Sequence, residues 1–456
     1  MRSKNHATKD MTVGSPAKTL FFFAVPMVVG NIFQQFYNII DSMVVGNFVG
    51  ANALAAVGAS TSFTSLFISV ATGAGIGSSV IISQFFGSKR MEEMMTAIYT
   101  ALFTIFGISL ILAGIGLVLG SSALQFLNTP AEIFHDALVY LRIYLLGLPF
   151  LFMFNIFNAV FNSLGLSQIP LTLLGICSGL NIVLDVVFVT RFGMGVSGVA
   201  WATLIAQGVS AVTSFFWLML RLRRIETEKS YSRYDTGILK EMCYVAVPSI
   251  IQQAIVSIGL LAVQGLVNSF GSASMAGYTA ATKIDMIAIM PMVNVGNAVS
   301  TFTAQNIGAN KPERVKKGFR AGVTMSFLIA FTITAILFGF GEGFVGAFVD
   351  SASNQDVIQV GVEYLRVVGL FYFLMGFMNT CNGVLRGSSD MKVFMMSTLV
   401  NFTTRVICAY SLADTSFGMR AIWWSIPVGW LMGSIISFTR YLSGKWQEKA
   451  RISSAG

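Results

Sequence analysis

The sequence predicts an all-α integral membrane protein: twelve transmembrane helices in two six-helix lobes, related by a pseudo-two-fold axis along the membrane normal. Three observations support this fold class: an apolar composition, an uneven distribution of basic residues, and an internal repeat. Of the 456 residues, 55% are hydrophobic and only 11% are charged, whereas about a quarter of the residues in a soluble protein are charged. This chain therefore cannot keep most of its surface in water.

The apolar residues occur in long segments separated by short polar stretches. At about 20 residues per spanning helix, the chain has room for about twelve spans and little left for a soluble domain. The predicted spans are 18–45, 52–86, 94–120, 132–158, 168–190, 197–220, 241–266, 274–308, 321–341, 358–385, 393–412 and 421–439.

The basic residues lie mostly on one side of these spans. The seven polar stretches on the N-terminal side hold 23 of the 29 Lys and Arg residues, whereas the six opposite loops hold only Arg191 and Arg420. Because basic loops remain in the cytoplasm, both termini are predicted to be cytoplasmic. Membrane orientation thus accounts for the net charge of +9, and we expect no nucleic-acid partner.

One structural unit is used twice. The segment Ser83–Arg90 recurs as Ala304–Lys311, at an offset of 221 residues, and each half holds six predicted spans. Repeats in the same topology relate two halves by an axis along the membrane normal, and such halves enclose a cleft that opens alternately to each side. The repeat therefore favours a transporter. The predicted divisions are a tail 1–17, an N-lobe 18–220, a linker 221–240, a C-lobe 241–440 and a tail 441–456.

Three acids fall well inside the predicted spans: Asp41, Asp185 and Asp285. A charged side chain at the bilayer centre costs at least about 2.5–3.5 kcal/mol, so such acids need a partner or a proton. Asp41 lies five residues before Gly46 at the outer end of its span, and Asp185 lies six residues before Arg191. At 1.5 Å per residue, the two carboxylates are predicted to lie at the same height in the N-lobe.

Other polar side chains are expected at this height. Gln34 and Tyr37 share a helical face with Asp41 at the spacing i, i+3 and i+7, and Asn181 shares a face with Asp185 at i, i+4. Thr203 lies a similar distance inward from the outer start of span six. Two acids close together in a low dielectric do not both ionise easily, so the pocket could take up a proton, or its oxygens could coordinate Na⁺. The alternative is a hydrogen-bond network that only fixes packing. The polar residues are Gln34, Tyr37, Asn181 and Thr203.

The second half lacks this acidic pair, because Asp185 aligns with Arg405 in the repeat. Lys283 and Asp285 lie two residues apart in one span and point in nearly opposite directions, so no direct pair is expected. They could face a substrate cleft, or each could pair with a neighbouring helix such as the one carrying Arg405. Met290 is a further cleft candidate, since flexible thioethers suit varied apolar ligands, although lipid-facing packing explains most methionines of this chain. Gln34 and Arg405 are the other candidates for a substrate cleft.

The motifs resemble the multidrug and toxic compound extrusion (MATE) family over residues 18–440. The resemblance is carried by Tyr37–Gly46, Gly50–Gly58, the repeated Gln-x-x-Gly and Leu385–Gly387. It is similar to the DinF-like branch or to related Gram-positive multidrug exporters, and this implies an N-lobe pocket that binds the coupling H⁺ or Na⁺. The NorM-like branch places carboxylates in spans seven and ten, and 241–266 and 370–385 have none inside the membrane. The implied pocket residues are Tyr37, Asp41, Asn181, Asp185 and Thr203.

Pro26 lies inside the first predicted span, where a proline removes a backbone hydrogen bond and can kink the helix. In the MATE family, bending of this helix is a proposed way to collapse the N-lobe cavity, so the resemblance makes Pro26 a hinge candidate. The alternative is a static kink.

Together these features predict a secondary antiporter in the cell membrane, most plausibly a monomer, that exports amphipathic, cationic compounds in exchange for H⁺ or Na⁺. A flippase for a lipid-linked precursor would need a strongly cationic cleft. A passive channel would need pore rings, and an intramembrane enzyme would need a catalytic motif that this sequence does not contain. No cofactor, and no metal beyond Na⁺, is expected, because the four cysteines and two histidines are scattered without ligand spacing.

Overall fold

A computed structural model describes residues 8–347 and 355–452, so the predicted tails 1–17 and 441–456 lie partly outside the described residues. Within the described ranges the chain is helical and has no β-strand. Short π-helical turns, Val45–Val49 and Val187–Arg191, follow α1 and α6, and a 3₁₀ turn, Lys445–Lys449, follows α14. The α-helices are α1 (Pro16–Val44), α2 (Ala51–Gly87), α3 (Met91–Phe126), α4 (Ala131–Leu146), α5 (Leu148–Ser163), α6 (Gln168–Val186), α7 (Gly195–Leu222), α8 (Thr236–Asn268), α9 (Ser272–Gly308), α10 (Pro312–Gly346), α11 (Gln355–Leu370), α12 (Tyr372–Gly387), α13 (Met391–Ala413) and α14 (Arg420–Leu442).

These helices account for twelve membrane spans, which confirms the predicted fold class. Ten helices of the described chain are each long and apolar enough to span, and two bent pairs add one span each. The pairs are α4 with α5, bent by 49°, and α11 with α12, bent by 50°. The sequence predicted continuous helices over 132–158 and 358–385, and the structure breaks both. Pro149, near the start of α5, has no N–H for a continuous helix, whereas no proline lies at the second break.

The chain divides into two compact units. The N-unit holds residues 8–10 and Val29–Ile250, and the C-unit holds Met11–Val28 and the described residues from 251 onwards. These units differ from the predicted lobes, because the start of α1 groups with the C-unit and the linker and the start of α8 group with the N-unit. The two divisions that fall inside long helices each come two residues after a proline, Pro26 in α1 and Pro248 in α8.

The internal repeat is visible in the backbone where α2 and α9 end. Lys89 and Asn310 both adopt the left-handed conformation, with φ of 62° and 54°. The next residue closes the turn in both units: the N–H of Arg90 donates to Phe85 O at 3.1 Å, and that of Lys311 donates to Asn306 O at 2.8 Å. The two sequence motifs therefore encode the same helix termination, a local αL cap of the kind that satisfies the last carbonyls of a helix.

Close helix packing inside each unit depends on small residues, as expected in membranes. In the N-unit, a Cβ on Gly116 of α3 would lie 2.6 Å from Leu145 of α4. In the C-unit, α9 and α12 approach so closely that a Cβ on Gly296 would lie 2.7 Å from the Asn379 carbonyl oxygen. At these two points the helices can approach so closely because glycine has no side chain.

Candidate functional site

The two membrane acids of the N-unit lie against each other. Asp41 projects from α1 and Asp185 from α6, and their carboxyl groups are within hydrogen-bonding reach. Asp185 is fully buried. One oxygen of each group, Oδ1 in both cases, is buried and has no hydrogen-bond partner in the described chain. Two carboxyl groups in this arrangement hold a shared proton or attract a cation, because two unneutralised charges at this separation repel.

Asn181 connects this pair to a phenol and to a third helix. With its amide nitrogen facing the acids, Asn181 donates to Asp185 Oδ2 at 2.8 Å and to the Tyr37 hydroxyl at 3.1 Å. Its amide oxygen then accepts from the backbone N–H of Thr203 on α7 at 3.2 Å. The Thr203 hydroxyl lies 3.5 Å from the same amide. The structure therefore brings together the five residues predicted for the pocket: Tyr37, Asp41, Asn181, Asp185 and Thr203.

Tyr140 is a member of this site that sequence reasoning missed. It lies on α4, is 6% exposed, and its phenol is close enough to act electrostatically on both Asp41 and Asp185. Its ring belongs to an apolar cluster with Val45, Val189 and neighbouring side chains. The repeat Tyr140-Leu-Arg and Tyr364-Leu-Arg was its only sequence signal. The apolar cluster lowers the local dielectric, and this strengthens the interaction of the carboxyl pair with any ion.

Both acid-bearing helices end in a π-helical turn. Val45–Val49 begins four residues after Asp41, and Val187–Arg191 begins two residues after Asp185. The first turn closes through Gly50, whose N–H donates to Val45 O at 3.1 Å while its φ is +116°. Such turns are rare and occur frequently at functional sites. Here they end the two helices directly beyond the carboxyl pair.

The remaining N-terminal candidates lie apart from these contacts. Gln34 lies on α1, one turn before Tyr37, and its side chain is exposed. Pro26 is buried within α1, which continues through it as a helix. No cluster of three or more His, Cys, Asp or Glu that could hold a metal ion occurs among the described residues.

The C-unit candidates form a different group. The carboxylate of Asp285 on α9 accepts hydrogen bonds from two buried phenols, Tyr372 at 2.6 Å and Tyr364 at 3.2 Å. Arg405 on α13 acts electrostatically on Asp285 without a direct ion pair in the described part of the chain. Lys283 is exposed on α9, and no ion pair joins it to Asp285 among the described residues, as its spacing predicted.

Met290 lies on α9, one turn before Asn294, and is only partly buried. The Asn294 amide donates to the Met290 carbonyl oxygen at 3.0 Å. Its role in substrate binding stays a prediction.

Comparisons with known proteins agree with this arrangement. A family model described as MatE matches residues 26–187 and 248–411, one match in each half of the chain. Two relatives from Bacillus subtilis (strain 168), named "Probable multidrug resistance protein" YpnP and YoeA, are each 27% identical. The YpnP match covers 96% of this chain and 97% of the relative, and the YoeA match covers 97% and 96%. In fold, the chain is similar to a MOP superfamily transporter from Pyrococcus furiosus, with a TM-score of 0.89, 24% identity and coverage of 96% and 98%.

The family matches cover most of the chain, fall in the same place in both halves and agree with the twelve spans. Both Bacillus subtilis relatives are named as probable multidrug resistance proteins. The chain therefore belongs to the MatE family, the multidrug and toxic compound extrusion transporters.

Proposed function

We propose that this transporter is a secondary antiporter that exports amphipathic, cationic compounds from the cytoplasm in exchange for H⁺ or Na⁺. The observation that carries the proposal is the carboxyl pair of Asp41 and Asp185, since each acid has one buried oxygen that finds no partner within residues 8–347 and 355–452. Buried polar atoms are nearly always satisfied. A proton shared by the pair would satisfy them, and so would a sodium ion that also contacts the Tyr37 and Thr203 oxygens.

The exchange follows from electrostatics. When the pair carries a net negative charge, it attracts either a cationic substrate or a coupling ion. Once one of these two cations is bound, the pair attracts the second cation less strongly. The same negative charge thus serves two ligands alternately, which is the minimum requirement for coupling. The relatives' description as multidrug resistance proteins supports a substrate class of small compounds.

The orientation completes the proposal. The excess of Lys and Arg on one side of the spans supports cytoplasmic termini, and the carboxyl pair lies near the opposite ends of its helices. An ion from outside therefore has a short path to the pair when that side is open. Alternating access would then carry substrate outwards. We expect a monomer to suffice, because the carboxyl pair and its partners all come from one chain.

The test is uptake of a fluorescent monovalent cation into everted membrane vesicles, under an imposed pH gradient or an imposed Na⁺ gradient. Wild-type protein should accumulate the dye under one of the two gradients. Asp41→Asn keeps the size of the side chain but removes its charge, and should abolish the gradient-dependent part of uptake. Asp136→Asn is the matched control, because Asp136 is an exposed acid on α4 of the same unit.

Two outcomes contradict the proposal. Equal gradient-driven uptake by wild type and Asp41→Asn would remove the carboxyl pair from coupling. Flux that runs down the dye gradient, regardless of either ion gradient, would indicate a channel instead.

A further inference from the structure

In the C-unit, both oxygens of the Asp285 carboxylate already accept a hydrogen bond. Asp285 accepts a hydrogen bond from Tyr372 on Oδ1 and from Tyr364 on Oδ2, and both tyrosines are at most 1% exposed. In the N-unit, by contrast, Asp41 and Asp185 each retain a buried oxygen that has no hydrogen-bond partner among the described residues. The membrane acid of the C-unit therefore has a donor for each oxygen, whereas the two membrane acids of the N-unit do not.

A fixed positive charge on another helix acts on Asp285. Arg405 is 8% exposed, its guanidinium is within hydrogen-bonding reach of the Tyr278 phenol, and its charge acts on Asp285. Its Nε is buried without a hydrogen-bond partner in the described chain. A buried guanidinium needs an opposite charge nearby, and Asp285 supplies it across the tyrosine cluster.

The repeat places this arginine where the N-unit has an acid. In α6, Asn181 precedes Asp185 by four residues, and in α13, Asn401 precedes Arg405 by four residues, at an offset of 220. Both helices are followed directly by the last span of their half. Corresponding positions of the two halves therefore carry opposite charges.

We propose that Arg405 is a built-in counter-ion, whose guanidinium supplies to Asp285 the positive charge that an exchangeable ion supplies to the acids of the N-unit. The C-unit is then neutralised within itself and takes up no ion. The confinement of coupling to the N-unit rests on the function proposed above, whereas the neutralisation of Asp285 by Arg405 does not.

The surroundings indicate what would replace the guanidinium if it were removed. Asp285 would keep its two phenol donors. The ring of one of these donors, Tyr364, packs edge-on against the rings of Tyr278 and Trp423, with centroids 5.6 Å and 5.1 Å away. Aromatic faces attract cations, so the vacated site would take a proton or a small monovalent cation.

The titratable and charged groups that face Asp285 are phenols and a guanidinium group. They are the phenols of Tyr278 on α9, Tyr364 on α11 and Tyr372 on α12, together with Arg405 on α13. Phenols and guanidinium groups do not ordinarily titrate between about pH 6 and about pH 8.

The experiment compares four variants by thermal unfolding of purified protein in detergent at about pH 6 and about pH 8. Arg405→Gln leaves Asp285 without its counter-charge. We expect it to lose more melting temperature at the higher pH, where the carboxyl group must ionise, and we expect Na⁺ to restore part of that loss. Arg405→Lys keeps a positive charge and should show the pH response of wild type.

The double variant Asp285→Asn with Arg405→Gln removes both charges and should melt higher than either single variant. Yield and monodispersity on size-exclusion chromatography provide the same comparison if a single variant does not fold. Single losses that simply add in the double variant, together with an Arg405→Gln pH response equal to that of wild type, would overturn the proposal.

The outcome is separate from that of the transport test. If Asp41→Asn retains gradient-driven uptake while the stability of the Arg405 and Asp285 variants behaves as expected, the coupling proposal fails and the built-in counter-ion stands. If the stability prediction fails while Asp41→Asn loses coupling, the counter-ion proposal fails and the coupling proposal stands.

Discussion

Asn181 holds the N-unit site together through a single amide. Its nitrogen donates to Asp185 and to Tyr37, and its oxygen accepts from the backbone of Thr203, so three helices meet at one side chain. The helical spacings Tyr37–Asp41 and Asn181–Asp185, combined with the distances to the outer ends of their spans, were enough to predict this grouping. Spacing could not predict which atoms pair, because that depends on how α6 is rotated against α1 and α7.

We expect Asn181→Ala to weaken the coupling ion's effect by about 10- to 100-fold, because a hydrogen bond to a charged group contributes about 1.5–3 kcal/mol. The measurement is the concentration of H⁺ or Na⁺ that gives half-maximal uptake in everted vesicles. Asn155→Ala is the control, since the Asn155 amide bonds within its own helix, to Leu151 O at 2.9 Å. A half-maximal concentration unchanged in Asn181→Ala would exclude this bridging role.

Tyr140 shows the limit of sequence reasoning at this scale. It lies on α4, about a hundred residues from one acid and nearly fifty from the other, and no periodicity links it to them. Only the packing of α4 against α2 and α7 brings its phenol to the carboxyl pair. The phenol partners of Asp285 were missed for the same reason, because Tyr364 and Tyr372 lie on two different segments of a broken span.

At the level of helices, the sequence predicted the number of spans and their approximate limits, because twelve apolar segments of membrane length leave few alternatives. It did not predict the breaks at Gly147 and Phe371 or the two π-helical turns. Hydropathy averages over many residues and does not register a change of hydrogen-bond pattern within one turn. Proline was a partial signal, present after the first break and absent from the second.

Alanine substitution is expected to change stability differently at two glycines, Gly50 at the end of the π-helical turn and Gly58 inside α2. Gly50 has φ of +116°, a conformation that side chains rarely adopt, so Gly50→Ala should destabilise the protein by about 1–3 kcal/mol. Gly58 lies inside α2 with open space around it, so Gly58→Ala should be neutral or stabilise by up to about 1 kcal/mol. Thermal unfolding in detergent measures both, and a loss from Gly58→Ala as large as that from Gly50→Ala would contradict the argument.

Pro26 belongs to the same scale, because it lies in α1 two residues before the division between the units. Proline has no N–H to donate, so the helix is weakest at this point. If α1 bends there during transport, Pro26→Ala should slow uptake while leaving the half-maximal ion concentration unchanged. Pro427→Ala, which alters a proline inside α14, is the control. Wild-type uptake by Pro26→Ala would indicate a static kink.

For the whole molecule, the sequence predicted the internal repeat, and the structure shows which features the two copies share and which differ. The helix terminations after α2 and α9 remained alike, whereas the charged positions on α6 and α13 diverged in sign. Composition and hydropathy indicate the shared architecture because every span must be apolar and long enough to cross the same bilayer. They do not report the divergence, which needs the position of each charge relative to its neighbours on other helices.

Confinement of the exchangeable carboxyl pair to one unit predicts the charge moved per cycle. Two acids that share one proton carry a single net negative charge, so they exchange one positive charge for another. Export of a monovalent cation should then be electroneutral and insensitive to an imposed membrane potential. Export of a divalent cation should be opposed by a negative interior by up to about 50-fold at 100 mV, since one net charge is worth about 2.3 kcal/mol. Proteoliposomes clamped with potassium and valinomycin test both substrates. A monovalent export rate that follows the potential would contradict the exchange of one positive charge for another.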